Sequence, residues 1–223
     1  MTLNFFLLAR VTCGMLATAP FTIAYADWYV GGNVGQSSID VSSGEIEQAF
    51  LIDDDFVAAG TTLDETDTGW KAYAGYRFLP LLSIEAGYSD LGEATFSTTI
   101  VDAPPPLGDI TPFRIEGTAT ADGPHVSALL HLPLPGPLTI LARAGVIRWE
   151  AEFTEFIPDT GTVRVARTEA ETDALYGLGL QLKLLGTLGF RLEWERLENV
   201  GEGIGGRDGR DIDFFSVGAF FEF

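Results

Sequence analysis

The chain has 223 residues, 46% of them hydrophobic, and a formal net charge of −19. Acidity on that scale repels nucleic acid. After residue 26 no uncharged apolar run reaches the roughly 18 residues that a spanning helix needs, so any membrane role there must be carried by strands.

Residues 1–26 contain no acid, one basic residue (Arg10) and an apolar tract through Leu7, Leu8, Met15 and Leu16, and they end in Ala24-Tyr25-Ala26. This reads as a secretory signal peptide cleaved before Asp27, leaving 27–223 as one domain. Cys13, the single cysteine, lies inside the signal. A lipid-attachment reading of Cys13 is poor, because Arg10 and Thr12 occupy places that want an aliphatic and a small residue.

Period-2 alternation then recurs in pieces of about ten residues. Trp28, Val30, Gly32 and Val34 share one face, with Tyr29, Gly31, Asn33 and Gly35 on the other. Trp70, Ala72, Ala74, Tyr76 and Phe78 oppose Lys71, Tyr73, Gly75 and Arg77, and Leu82, Ile84, Ala86 and Tyr88 oppose Ser83, Glu85, Gly87 and Ser89. Val126, Ala128, Leu130 and Leu132 oppose His125, Ser127, Leu129 and His131, while Leu138, Ile140, Ala142, Ala144 and Val146 oppose Thr139, Leu141, Arg143, Gly145 and Ile147. Tyr176, Leu178, Leu180, Leu182 and Leu184 stand against Gly177, Gly179, Gln181 and Lys183, and Phe190, Leu192 and Trp194 against Arg191, Glu193 and Glu195. In the last piece Phe215, Val217, Ala219, Phe221 and Phe223 oppose Phe214, Ser216, Gly218, Phe220 and Glu222.

Eight strands suit an antiparallel up-and-down barrel whose ends meet. The connections near 79–81, 133–137 and 185–187 are tight, whereas 36–68, 90–124, 150–173 and 197–211 read as long polar loops. The acids concentrate there, which suggests that acidity marks segments between regular elements. Short turns on one rim and long loops on the other are the pattern of outer-membrane barrels. One face carries Leu, Val, Phe, Trp and Tyr, and the other carries Gly with Lys71, Glu85, Arg143, Lys183, Arg191, Glu193 and Glu195. An eight-strand interior is narrow, so glycine and compact ion pairs belong inside and the large apolar face belongs in lipid. The expected fold is therefore an all-β, eight-stranded antiparallel transmembrane barrel. Trp28, Trp70, Tyr88, Trp194 and Phe221 are its expected membrane-interface aromatics.

The start Trp28-Tyr29-Val30-Gly31-Gly32, the block Gly75–Gly92 (GYRFLPLLSIEAGYSDLG), Arg191–Gly201 (RLEWERLENVG) and the closing phenylalanine strand resemble the outer membrane protein A-like and opacity-type small barrels of Gram-negative bacteria. The resemblance implies an outer-membrane location, periplasmic termini, long loops outside, and a lumenal ion-pair cluster that blocks or gates a narrow pore. Glu85, Arg191 and Glu193 fall on its ion-pair positions, its second carboxylate falls on Gln181, and its lysine falls on Leu129 or near His131. It also implies that Phe221 and Phe223 form a C-terminal assembly signal read by the barrel-assembly machinery. Full-length members carry a periplasmic wall-binding domain; this chain is expected to stop at the barrel, without wall anchoring.

From the polar face and the resemblance together, Glu85, Arg143, Lys183, Arg191, Glu193 and Glu195 are expected to form the lumenal network, either as satisfied pairs filling the barrel or as a gate. Three other motifs have weaker claims. His125-Val126-Ser127 could serve an outer-membrane lipid-modifying enzyme, but no acid is placed to orient the imidazole. Asp53-Asp54-Asp55 could attract a cation but lacks the glycine and spaced glutamate of a calcium loop. Ala103-Pro104-Pro105-Pro106 reads as a stiff spacer. The expected function is a non-enzymatic, monomeric envelope barrel with no cofactor or metal, surrounded by outer-membrane lipid and lipopolysaccharide and exposing acidic loops. The alternative is a surface adhesin or immune-evasion protein whose loops bind an extracellular partner.

Overall fold

The computed structural model describes residues 27–39, 41–54, 57–102, 111–200 and 210–223. The signal peptide and Ala103–Pro106 therefore lie outside the described residues, as do Asp55 and the side chains of Asp53 and Asp54. The elements are β1 (Asp27–Ile39), α1 (Ser43–Asp54), β2 (Val57–Asp64), β3 (Thr66–Leu79), β4 (Leu82–Asp102), β5 (Phe113–Pro133), β6 (Leu138–Ile157), β7 (Thr162–Leu185), β8 (Leu188–Val200) and β9 (Arg210–Glu222).

Eight strands close a ring: β1 pairs with β3 and β9, and the neighbours β3 to β9 pair in chain order, all antiparallel. Closure leaves no lateral edge, the condition for placing a sheet in hydrocarbon. The seam runs from Tyr29↔Glu222 to Ile39↔Ile212. It continues through Phe223, whose N–H donates to the Trp28 carbonyl at 2.9 Å while Trp28 N–H donates to the Phe223 carbonyl at 3.3 Å.

The outward faces carry the expected apolar residues, with Trp28, Val34, Ile84, Val126, Leu178, Leu192 and Phe215 among those exposed. Aromatics gather at two heights. Trp28 packs on Tyr76 and Phe221 on Phe223 near the short turns; Trp70 packs on Tyr88 and Tyr176 on Trp194 toward the long connections. The upper group has a feature that the alternation did not reveal. Trp70 Nε1 donates to Asp90 Oδ2 at 3.2 Å, Trp194 Nε1 donates to Asp213 Oδ1 at 3.0 Å, and the Tyr88 hydroxyl donates to Asp122. Each ring thus keeps its body on the apolar face and its polar tip on a carboxylate at the water side.

The long connections require correction, because much of them is strand. β4, β5, β6 and β7 run for 21, 21, 20 and 24 residues, about twice the 9–11 that cross a bilayer. Glu152, Glu155, Glu169, Glu171 and Asp173 stand on β6 and β7, so acidity does not mark irregular segments here. The β6–β7 connection shrinks to Pro158-Asp159-Thr160-Gly161, where Gly161 takes φ 65° and donates to the Ile157 carbonyl at 2.8 Å. Pro-Asp followed by a glycine that tolerates positive φ is a turn signal in its own right.

The first connection holds a helix and a ninth strand, with β2 pairing along the outer half of β4. Ser42 and Glu45 cap α1 reciprocally: Ser42 N–H donates to Glu45 Oε2 at 2.8 Å, and Glu45 N–H donates to Ser42 Oγ at 3.4 Å. That is the S-x-x-E capping box, legible in Ser42-Ser43-Gly44-Glu45. Ile46 and Phe50, one turn apart, then pack on Ile100 of β4 and Ile115 of β5.

Candidate functional site

Within the barrel the strand parity aims ionised side chains at one level of a narrow lumen. Alternation on β8 sends Arg191, Glu193 and Glu195 inward, while opposite them β7 offers Gln181, Gly179 and Gly177. Those two glycines leave room for the carboxylates: a Cβ on Gly179 would stand 2.9 Å from Glu193 Cγ, and one on Gly177 would stand 3.0 Å from Glu195 Cγ.

Into that space reach Glu85 from β4, Arg143 from β6 and Lys71 from β3. Arg143 Nη2 binds Glu85 and lies 3.1 Å from Glu193 Oε1. Arg191 Nη1 donates to Glu85 Oε2 at 2.8 Å, and Lys71 Nζ binds Glu195 and lies 2.7 Å from Glu193 Oε2. Arg143 Nε stands 3.2 Å from Glu195 Oε1, close enough for charge attraction although not aligned as a hydrogen bond. Three cations thus face three anions, all with side chains 4% exposed or less. Asn33 Nδ2 adds a bond to Glu193 Oε2 at 3.1 Å, and the Tyr29 hydroxyl donates to Glu85 Oε2 at 3.2 Å. Burying six charges costs several kcal/mol or so per ion, offset only when each has partners of opposite sign, as here.

Two layers flank this network. Toward the short turns Tyr29, Tyr73 and Phe220 form an aromatic cluster. The Arg191 guanidinium carbon sits 4.5 Å from the Tyr73 ring centre, 5.5 Å from Phe220 and 5.6 Å from Tyr29. Its Nε and Nη2 have no hydrogen-bond acceptor among the described residues, so ring faces take the place of oxygen partners. Gly75 lies directly beneath the Tyr29 ring, where a methyl group would overlap it. Toward the long connections an apolar plug fills the interior, with Trp149, Ile147, Leu175, Leu197, Ile212 and Phe214 buried together.

Five of the six residues expected in the lumenal network are brought together: Glu85, Arg143, Arg191, Glu193 and Glu195. Lys183 is not. It lies at the short-turn rim with its side chain 42% exposed and its Nζ 2.7 Å from Glu222 Oε2, beside Arg77 at 3.0 Å from Glu222 Oε1. Lys183 shares the inward face but stands at the wrong height, close to the Leu185↔Leu188 end of its hairpin. Lys71 takes the place in the network, and its inward parity was the available signal. Gln181 and Leu129, where the resemblance puts a carboxylate and a lysine, are buried opposite Arg191 and Arg143. His125 and Ser127 also face the lumen and are engaged separately: His125 Nδ1 with Ser89 Oγ at 3.1 Å, and Ser127 Oγ accepting from Arg143 Nη1 at 3.4 Å.

Residues 23–223 match the family model described as the OmpA-like transmembrane domain. The chain belongs to the OmpA-like transmembrane domain family. Among curated relatives, outer membrane protein A of Klebsiella pneumoniae is 26% identical over 200 residues, covering 88% of this chain and 51% of the relative. The Shigella flexneri protein of the same name is 24% identical over 198 residues, covering 88% and 48%. The chain thus spans about half the length of the curated relatives it matches. In fold it is similar to the attachment invasion locus protein Ail of Yersinia pestis, with a TM-score of 0.50 at 13% identity, covering 90% of this chain and all of Ail. This OmpA-like barrel is a protein of the Gram-negative outer membrane. Its barrel surface accordingly meets lipid between the two aromatic levels.

Proposed function

We propose that this barrel is a non-enzymatic, monomeric envelope protein whose lumen is locked rather than conducting. On this reading its termini are periplasmic, the rim bearing α1 faces outward into the lipopolysaccharide leaflet, and the assembly machinery reads Phe221 and Phe223. The carrying observation is the complete network of Lys71, Arg143 and Arg191 with Glu85, Glu193 and Glu195, held between an aromatic clamp and an apolar plug. Each partner is stabilised by the others, so opening a path through them would leave charges unpaired at low dielectric. The test is single-channel recording in planar bilayers. The native protein should show no long-lived openings and Arg191→Ala should show them; steady conductance from the native barrel would refute the lock.

A second reading, recognition through the outer rim, is favoured by the ordered extension of β4–β7 beyond the membrane with α1 and β2 seated on it. Ail has been crystallised with the heparin analogue sucrose octasulfate. A net charge of −19 opposes such a polyanion here, so a partner on this surface would be cationic. Deleting α1 and β2 while the barrel keeps its heat-dependent gel mobility separates the readings: lost partner binding with normal envelope resistance favours recognition.

A further inference from the structure

Between the lumenal plug and α1 lies a cavity of about 490 Å³, within the roughly 300–1,000 Å³ range of small-molecule sites. Its floor is the upper surface of the plug: Leu91, Ala121, Ala151, Val200 and Ile212. Its roof is the cluster under the helix: Ile46, Phe50 and Phe96, with Phe153 stacked on Phe96 at 6.2 Å. The cavity is therefore closed off from the lumen by packed side chains and partly covered from outside by a capped helix docked through Ile46 and Phe50. Cores are normally filled to crystal density. An apolar space of this size, between two layers that are each well packed, is not a packing remainder of one or two methyl groups.

We infer that this vestibule binds a small molecule with an apolar or aromatic body and a single positive charge. Apolar floor and roof select the body. The wall selects the charge, since four acidic residues, Glu45, Glu65, Asp67 and Glu155, line it with Arg167 and Arg210. Two of those acids are already engaged: Glu45 Oε1 lies 3.1 Å from Arg210 Nη1, and Glu155 Oε2 lies 2.9 Å from Arg164 Nη1. Asp67 Oδ2 accepts from the Glu93 backbone N–H at 2.8 Å, which fixes the Asp67 carboxylate on the β4 side of the mouth, where Glu65 also lines the cavity. A ligand ammonium would meet that side while its hydrocarbon lies over Ala121 and Ala151.

The test uses the full barrel in zwitterionic phosphatidylcholine nanodiscs, titrated with 4-phenylbutylamine, its neutral alcohol analogue and its carboxylate analogue, and followed by methyl NMR. The expected result is saturable shifts of Ile46 and Ile212. Filling the space with Ala151→Leu or, at a less buried wall position, Ala119→Leu should weaken binding about tenfold or more. Heat-dependent gel mobility verifies folding of each variant, and Ala119→Leu decides if Ala151→Leu does not assemble. At low salt the amine should bind about three- to fivefold more tightly than the neutral alcohol and more tightly still than the acid, a gap that closes at high salt. Shifts that do not saturate, or that persist unchanged in the folded filling variants, overturn the site. Equal affinity for amine and acid overturns its charge preference.

Discussion

β5 and β6 are each two different strands end to end. On the lower half of β5 the outward residues are Val126, Ala128, Leu130 and Leu132 and the inward ones His125, Ser127 and His131; on the upper half Arg114, Glu116, Thr118 and Thr120 point outward while Ile115, Ala119 and Ala121 point inward. β6 repeats this: Ile140, Ala142, Ala144 and Val146 outward beside Arg143, then Arg148, Glu150 and Glu152 outward beside Ile147, Trp149 and Ala151. The parity never changes; the solvent does. Below the Trp70–Tyr88 level the outside is lipid and the polar groups go in, whereas above it the outside is water and the apolar groups go in. Val126 is 52% exposed and Ile115 fully buried for one and the same reason.

Breaking the lower half from within should have the largest effect. Arg191→Ala leaves Glu85 short of a partner in the lumen and should cost about 3–5 kcal/mol, the penalty for an uncompensated buried charge. Urea unfolding in micelles should show this, with Arg191→Lys recovering part of the loss; unaltered unfolding of Arg191→Ala would mean that the network is not a closed unit. The inversion itself is sharpened by one substitution placed at two heights on one face of β5. Val126→Arg, between the two aromatic levels, should destabilise by about 2–4 kcal/mol on the lipid face, whereas Thr118→Arg should stay within about 0.5 kcal/mol on the water face. Equal costs would put the membrane boundary somewhere else.

The smallest effects belong to the upper half alone. Ser42→Ala removes the cap of α1 and should cost about 1 kcal/mol, read as faster amide exchange in the helix with the barrel unmoved. The Glu45 carboxyl is held below its ordinary range by the Ser42 backbone N–H, then by the Ser42 hydroxyl, with Arg210 adding attraction. A depressed folded value means that this contribution is present above the ordinary carboxylate pKa and lost as pH falls through the lowered one. Acidification should therefore free the start of α1 before it disturbs the ring, and exchange measured down the pH scale would show the opposite order if α1 were held by packing alone.

The eight ring strands and their facing were legible because alternation against lipid is strong, as in Trp28–Val34 or Tyr176–Leu184. The upper strands were not, because Thr162–Asp173 and Phe113–Gly123 face water with threonine, arginine and acids, the composition of a loop. Two local signals in that region carried real structure: Ser42-Ser43-Gly44-Glu45 begins α1, and Pro158-Asp159-Thr160-Gly161 turns β6 into β7. In the candidate site, parity identified which charged residues point inward but gave no height. Lys183 and Lys71 look alike in sequence, yet one lies at the rim and the other at the centre of the network.

By itself the sequence determined a closed antiparallel ring with a lipid-facing surface and a charged interior, because period-2 patterning is a local property that each strand expresses alone. Only the tertiary structure decided which charges meet, where the lumen turns from polar to apolar, and that a cavity remains beneath α1. Those depend on the stagger between strands, which sets the height of each residue on the barrel axis and is fixed by the pairing of all eight strands together.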